Sequence, residues 1–197
     1  PEGNYTPPRI PAVIQPPEAD ISGMSANQLA QACRLISEAE RPVIYAGGGI
    51  VTAEAIDELR ELAEKLQCPV TTTVMGHGVF PPDQALALHC LGMHCSKYAN
   101  VAINEAVLVI AAGVRFDDRV TGKVDAFIAE GRIIHIDIDR DELNKNITLT
   151  ITVCDDIMLA LLQLIDCSVP GDHAPWLAYV QGLRQEFPFT VPDSEAI

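Results

Sequence analysis

The stretch Gly113-Val-Arg-Phe-Asp-Asp-Arg-Val-Thr-Gly122 follows an apolar run, Val107-Leu-Val-Ile-Ala-Ala112. The run reads as a strand buried on both faces, because such a strand shows no polar alternation. A glycine at its carboxyl end marks a place where backbone must bend or approach another group closely. In open α/β sheets, ligands lie in the crevice outside those carboxyl ends. Arg115, Asp117, Asp118 and Arg119 place four charges within five residues. Charges that dense are held by a ligand or by one another when they leave water. The loop is therefore a ligand site or an internal knot of ion pairs.

Working outward, strands alternate with helices. On the amino-terminal side, Pro42–Ala46 reads as a strand, and Gly47-Gly-Gly49 reads as a turn after it. Thr52 is placed to cap a helix that runs to about Leu66, with Ile56, Leu59, Leu62 and Ala63 on one face. A preceding helix is expected over Asn27–Glu40, with Ser25 as its cap and Gln28 completing a capping box. Residues 69–74, rich in β-branched side chains, predict a second strand. Met75–Gly78 turns the chain, Leu91–His94 is irregular, and a short helix is expected near Ser96–Asn104. On the carboxyl-terminal side the pattern predicts a short helix over Val124–Glu130 and strands over Arg132–Asp137 and Leu149–Val153. A helix opened by Asp155 or Asp156 and a final amphipathic helix over 173–186 follow. Such alternation implies a parallel sheet with helices on both faces.

The chain has 197 residues, enough for one domain with flanking segments, and is 48% hydrophobic and 20% charged. Residues 1–24 hold six of the 14 prolines and predict an extended linker. Starting at Pro1 without a methionine, the sequence reads like a cut inside a longer protein. Residues 25–168 form the expected domain, and 169–197 a closing helix and linker. A formal net charge of −14 argues against nucleic acid or an anionic membrane as partner, since both need clustered Lys and Arg. No apolar run approaches the roughly 20 residues that span a bilayer. The six cysteines show no CxxC pair, so buried free thiols and a reducing compartment are expected. His89-Cys90 and His94-Cys95 have the character of metal ligands, but no further ligand pair at zinc-like spacing accompanies them.

Candidate binding groups gather at the strand exits. Amides of Gly47, Gly48 and Gly49 can face a phosphate, although the triplet is not G-x-G-x-x-G, and a tight turn without ligand explains it equally. Asp137 can accept from ribose hydroxyls or cap a turn. Asp156 can cap a helix, bind a hydroxyl, or both. Thr73 and Val74 leave the second strand. This concentration favours a nucleotide-type ligand across the sheet edge. There is no G-x-S-x-G elbow and no Gly-Asp-Gly followed by a distant Asn-Asn, so the domain is expected to bind without reacting.

The loop 113–122, with Leu91-Gly-Met-His94 before it and His135-Ile-Asp-Ile-Asp139 after it, closely resembles acetohydroxyacid synthase (acetolactate synthase) large catalytic subunits, which use thiamine diphosphate. The resemblance covers roughly residues 25–168. It implies the middle domain of three: a Rossmann-like doubly wound α/β sheet of about six parallel strands that holds FAD. The flavin there has no net redox role in the main reaction. By the same resemblance, FAD is lined by Gly47, Gly48, Gly49, Thr73, Val74, Leu91, Gly92, Met93, His94, Gly113, Val114, Arg115, Phe116, Asp117, Asp137, Ile138, Asp156 and Ile157. Met93, His94, Asp118 and Arg119 would face the substrate channel. The family's catalytic glutamate and its ligands for Mg2+ and diphosphate belong to domains outside this sequence, so no residue here is expected to be catalytic or to bind metal. The parent reaction condenses two pyruvates, or pyruvate with 2-oxobutanoate, for branched-chain amino acid synthesis. Implied partners are the other domains, a homo-oligomer (dimer or tetramer) and a small regulatory subunit, in the cytoplasm or an organelle stroma or matrix. Cys95 stands where the family commonly has glycine, a strained choice if that position needs positive φ, and Asp155 stands where it commonly has another. Two other readings remain at this level: a stand-alone dinucleotide-binding module, and a structural module that serves only assembly.

Overall fold

A computed structural model of the chain describes residues 22–117, 128 and 131–188. The expected linker before residue 22 and most of the expected helix 124–130 lie outside those residues. Six parallel strands form one sheet: β1 (Pro42–Ala46), β2 (Val70–Thr72), β3 (Ala87–Cys90), β4 (Leu108–Ala112), β5 (Arg132–Asp137) and β6 (Ile151–Cys154). Their order is β3-β2-β1-β4-β5-β6. The chain winds outward from β1 in one direction, returns to the middle, and winds outward from β4 in the other. The switch point lies between β1 and β4, which pair in register from Pro42↔Leu108 to Ala46↔Ala112.

Two apolar layers follow from the period-two alternation of strand side chains. Ile44, Ala46, Ile110, Ala112, Ile134 and Ile136 pack on one face against α1 (Ala26–Glu38), α3 (Ile56–Leu66) and a helix over Ile157–Cys167, here α5. Val43, Tyr45, Val109, Ala111 and Ile133 pack on the other, against α4 (Lys97–Glu105) and the last helix, α6 (Ala174–Glu186). Trp176 of α6 is buried and donates its indole N–H to the Pro42 carbonyl at 3.0 Å, which pins that helix across the entry to β1. The strands read as unbroken apolar runs because both faces are covered.

Local signals set the helix ends in two cases. Ser25 caps α1 through a capping box with Gln28. The Asp156 carboxylate accepts from the Leu159 amide at 3.0 Å and opens α5. Elsewhere the expectations need correction. Gly48–Thr52 is a short helix, α2, and Thr52 ends it instead of capping the next; its hydroxyl donates back to the Gly48 carbonyl. The helix α3 starts at Ile56 after Ala55, with no side-chain cap. The second strand is shorter than expected, and β3 lies where no strand is expected from the sequence.

The cysteines also depart from expectation. Cys33 and Cys167 form a disulfide that ties α1 to α5, and Cys90 pairs with Cys95. The free thiols among them are Cys68, buried, and Cys154, exposed. Their pairing removes the argument for a reducing compartment that rested on free thiols. No helix among the described residues is long and apolar enough to cross a membrane.

Candidate functional site at the switch point

The exits of β1 and β4 touch backbone to backbone. The Gly47 amide donates to Ala112 O at 2.9 Å, and the Gly49 amide donates to Gly113 O at 3.1 Å. A Cβ on Gly49 would meet the Gly113 Cα at 2.5 Å, and one on Gly47 would press on the Gly113 carbonyl. Gly113 itself has φ +61, a left-handed conformation that suits glycine. Glycine is therefore needed at both exits for one physical reason: close backbone approach. Two of the three amides of the triplet, those of Gly47 and Gly49, are spent on this contact.

Just outside the contact lies a cleft of about 340 Å³. It gathers Gly49, Gly113, Arg115, Asp137, Ile138, Asp156 and Ile157 of the predicted residues, with Thr52, Ala53, Asp139 and Glu142 beside them. Glu142 escaped the sequence reading. It sits on a 3-10 turn (Arg140–Glu142), its side chain only 12% exposed, between Arg115 at 3.9 Å and Lys145 at 2.9 Å. The signal for it was weak, one acid among several in a polar stretch. Arg115 thus reaches an acid outside its own loop. Asp118 and Arg119 lie outside the described residues.

The loop leaving β4 alternates direction. Val114 and Phe116 are buried, whereas Arg115 and Asp117 are exposed. His135 of β5 explains why. Its Nε2 lies 3.0 Å from Val114 O, and its ring meets the Phe116 ring edge-on at 5.1 Å. Tyr45 also packs against Phe116, with ring centroids 5.8 Å apart. Burial holds His135 below the ordinary histidine value, partly offset by Asp137 beside it. Burial lifts the Asp137 carboxyl, and the Asp139 amide hydrogen bond counters that rise.

The other predicted residues leave neighbouring strands of the same parallel sheet, so they share its carboxyl edge without entering this cleft. Thr73 follows β2 and accepts from the Gly76 amide through its hydroxyl. Val74 and Met75 beside it are 73% and 79% exposed. Leu91 is buried, Met93 is 74% exposed, and His94 is exposed. Gly48 faces Met75, whose Cβ would lie 3.1 Å from an added methyl. Cys95 is not among the positive-φ residues, so cysteine there carries no backbone strain; Gly92, at φ 129, takes that conformation instead. Asp155 is buried and accepts from the Ser22 and Asp156 amides. No group of three or more metal-ligating side chains occurs among the described residues.

Known proteins bear on this geometry. Residues 29–164 match the model of the family described as "Thiamine pyrophosphate enzyme, central domain". The chain is 41% identical over 190 residues to the acetolactate synthase large subunit of Parasynechococcus marenigrum, which covers 94% of this chain and 30% of that protein. It is 45% identical over 166 residues to acetolactate synthase 1, chloroplastic, of rice, covering 81% of the chain and 26% of the relative. The acetolactate synthase of Mycobacterium bovis is 39% identical over 187 residues, covering 89% and 30%. The chain thus spans less than a third of the length of these relatives. With the parallel sheet order and the family match in agreement, this chain belongs to the thiamine pyrophosphate enzyme central domain family.

Proposed function

We propose that this chain is the central, FAD-binding domain of an acetolactate synthase, with part of the substrate channel at its carboxyl edge. The observation that carries the reading is the backbone contact of Gly47 and Gly49 with Gly113, which opens a cleft walled by Arg115, Asp137, Ile138 and Asp156. The lining fits one part of a flavin nucleotide. Asp137 and Asp156 are hydroxyl acceptors of the kind a ribose needs. Acids outnumber the single cation, Arg115, among the described lining residues, which suits a ribose end better than a pyrophosphate. The exposed apolar Val74, Met75 and Met93 farther along the edge offer cover for a flat ring or for a neighbouring domain.

The domain holds no complete active site in this reading. The parent enzyme condenses two pyruvates to 2-acetolactate, or pyruvate with 2-oxobutanoate, in branched-chain amino acid synthesis. Thiamine diphosphate supplies the carbanion chemistry when bound, with Mg2+, by domains outside this chain. The homo-oligomer, a small regulatory subunit, and a cytoplasmic or organellar setting belong to the same proposal.

Titration of the chain with FAD, followed by flavin fluorescence, tests the assignment. Weak saturable binding that disappears in Arg115→Ala is expected, because contacts from neighbouring domains are missing. Preference for NAD would favour a stand-alone dinucleotide module, and binding of neither would favour an assembly role; both would overturn the FAD assignment.

A further inference from the structure

The end of β3 is irregular, and a disulfide closes the segment that follows it. Its pairing with β2 shifts register between Val70↔Ala87 and Thr72↔Cys90, and His89 takes φ 58. Thr71 fixes that kink by donating its hydroxyl to His89 O at 2.9 Å. The chain then makes a tight excursion, Leu91-Gly-Met-His94, and returns to the start of α4. Cys90 and Cys95, with Cα atoms 5.3 Å apart, close this excursion with a disulfide. Both cysteines are partly exposed. The excursion carries Met93 and His94 out to solvent.

We infer that Cys90 and Cys95 form a redox-modification site, a dithiol–disulfide couple that exchanges with a small thiol of the glutathione type and sets how tightly the 91–94 segment is held. In reduction, a thiolate of the small thiol attacks Cys90 Sγ. The Cys90–Cys95 bond breaks and its electron pair leaves on Cys95 Sγ, which takes up a proton. A second small thiol then attacks the mixed disulfide, releasing Cys90 as thiol and the small thiol as its disulfide. The thiolate leaving on Cys95 lies at the amino end of α4, where partial positive charge favours it.

The segment does not unfold when the bond opens. Ser96 donates its hydroxyl toward Leu88 O and Cys90 O, and Asn100 donates to Gly92 O at 3.1 Å. What is lost is the covalent closure of a loop whose ends are 5 apart in sequence. Closure of so short a loop restricts its open states by a factor on the order of ten or more. The consequence for cofactor binding rests on the proposed reading of Leu91–His94 as a wall of the flavin site.

The test uses the whole 197-residue chain poised in glutathione buffers of varied ratio. Differential alkylation with mass spectrometry reads the thiols, and hydrogen exchange reads the amides of 91–95. The expected result is a reversible two-electron couple at Cys90 and Cys95. Exchange at 91–95 should rise by roughly tenfold on reduction and match the reduced level in Cys95→Ser under all conditions. The Cys33–Cys167 pair reports on α1 and α5, so its opening is separable by location. FAD titration of both forms is run in parallel. A couple with the exchange change but no flavin binding in either form supports the redox site and sinks the flavin reading. Free thiols at Cys90 and Cys95 in the most oxidising buffer, or exchange that is the same in both forms, would overturn the redox site.

Discussion

Replacing Gly47 by alanine should be among the most damaging single-methyl changes in this chain. The added Cβ would press on the Gly113 carbonyl oxygen and lie 2.7 Å from its carbon and 2.9 Å from Val114 Cα. Comfortable carbon contacts need about 3.5 Å, and every obstructing atom is backbone, so no side chain can swing away. The β1 and β4 exits must part by at least about 0.8 Å. At that separation the Gly47 N–H to Ala112 O bond, 2.9 Å in the native fold, passes the limit for a hydrogen bond, and the Gly49 to Gly113 bond is strained with it. Overpacking contributes about 1–3 kcal/mol, and a buried backbone group left unpaired about 1–3 more. The expected loss is thus about 3–5 kcal/mol, or roughly 10 °C in melting temperature for a domain of this size. Urea unfolding followed by far-UV circular dichroism measures it, with unchanged slope required for the comparison. Gly182→Ala is the control. It lies within α6 with nothing within 4 Å of its added methyl, and should gain about 0.5–1 kcal/mol. A Gly47→Ala protein that melts within about 2 °C of the parent would refute the switch-point contact as drawn.

Three further outcomes are expected. Burial holds His135 below its ordinary 6.5, so the unfolded chain takes up a proton there before the folded one does. Stability is therefore full above pH 6.5 and falls as pH drops below it. Urea midpoints of His135→Gln should fall less steeply than the parent's between about pH 6.5 and 5; parallel curves would show that the buried imidazole does not titrate this way. His89 and His173 shift in the same direction but stay in both proteins, so the difference isolates His135. Asp156→Ala removes the acceptor for the Leu159 amide and should destabilise by about 1 kcal/mol, with Asp156→Asn largely retained; equal losses in both would point to charge and not to capping. The double variant Cys33→Ser, Cys167→Ser loses a link across 134 residues and should fall by about 2–4 kcal/mol against the oxidised parent. Against the reduced parent it should not differ, and a gap that persists in reductant would assign the loss to packing.

What could be read in advance, and what could not, divides by the distance over which a residue acts. The strands β1, β4 and β5 showed themselves because burial on both faces leaves a continuous apolar run, visible in Val43-Ile-Tyr-Ala46 without knowing any neighbour. The Ser25 box acted over three residues and was equally plain, and the cap of α5 was legible to within a choice between Asp155 and Asp156. By contrast β3 is four residues long, pairs among the described residues with β2 alone, and bends at His89. Nothing in Ala87-Leu-His-Cys90 separates it locally from a loop behind Pro81-Pro82. Its strand character comes from the Thr72 row beside it, and that row is defined only once the sheet exists. The glycine triplet stayed open between two readings for a related reason. Its sequence allowed a phosphate contact or a tight turn, and the carbonyls that accept from the Gly47 and Gly49 amides, those of Ala112 and Gly113, lie more than sixty residues away. Thr52 had the residue type of a cap but spends its hydroxyl on the preceding turn. The cysteine pairings fall at both extremes, 134 and 5 apart, and neither follows from a spacing rule. The cleft is the sum of these long-range facts. Arg115, Asp137 and Asp156 could be named one by one from their strand ends and caps, yet only the pairing of β4 with β5 and of β5 with β6, which no single segment encodes, brings them to face the same space.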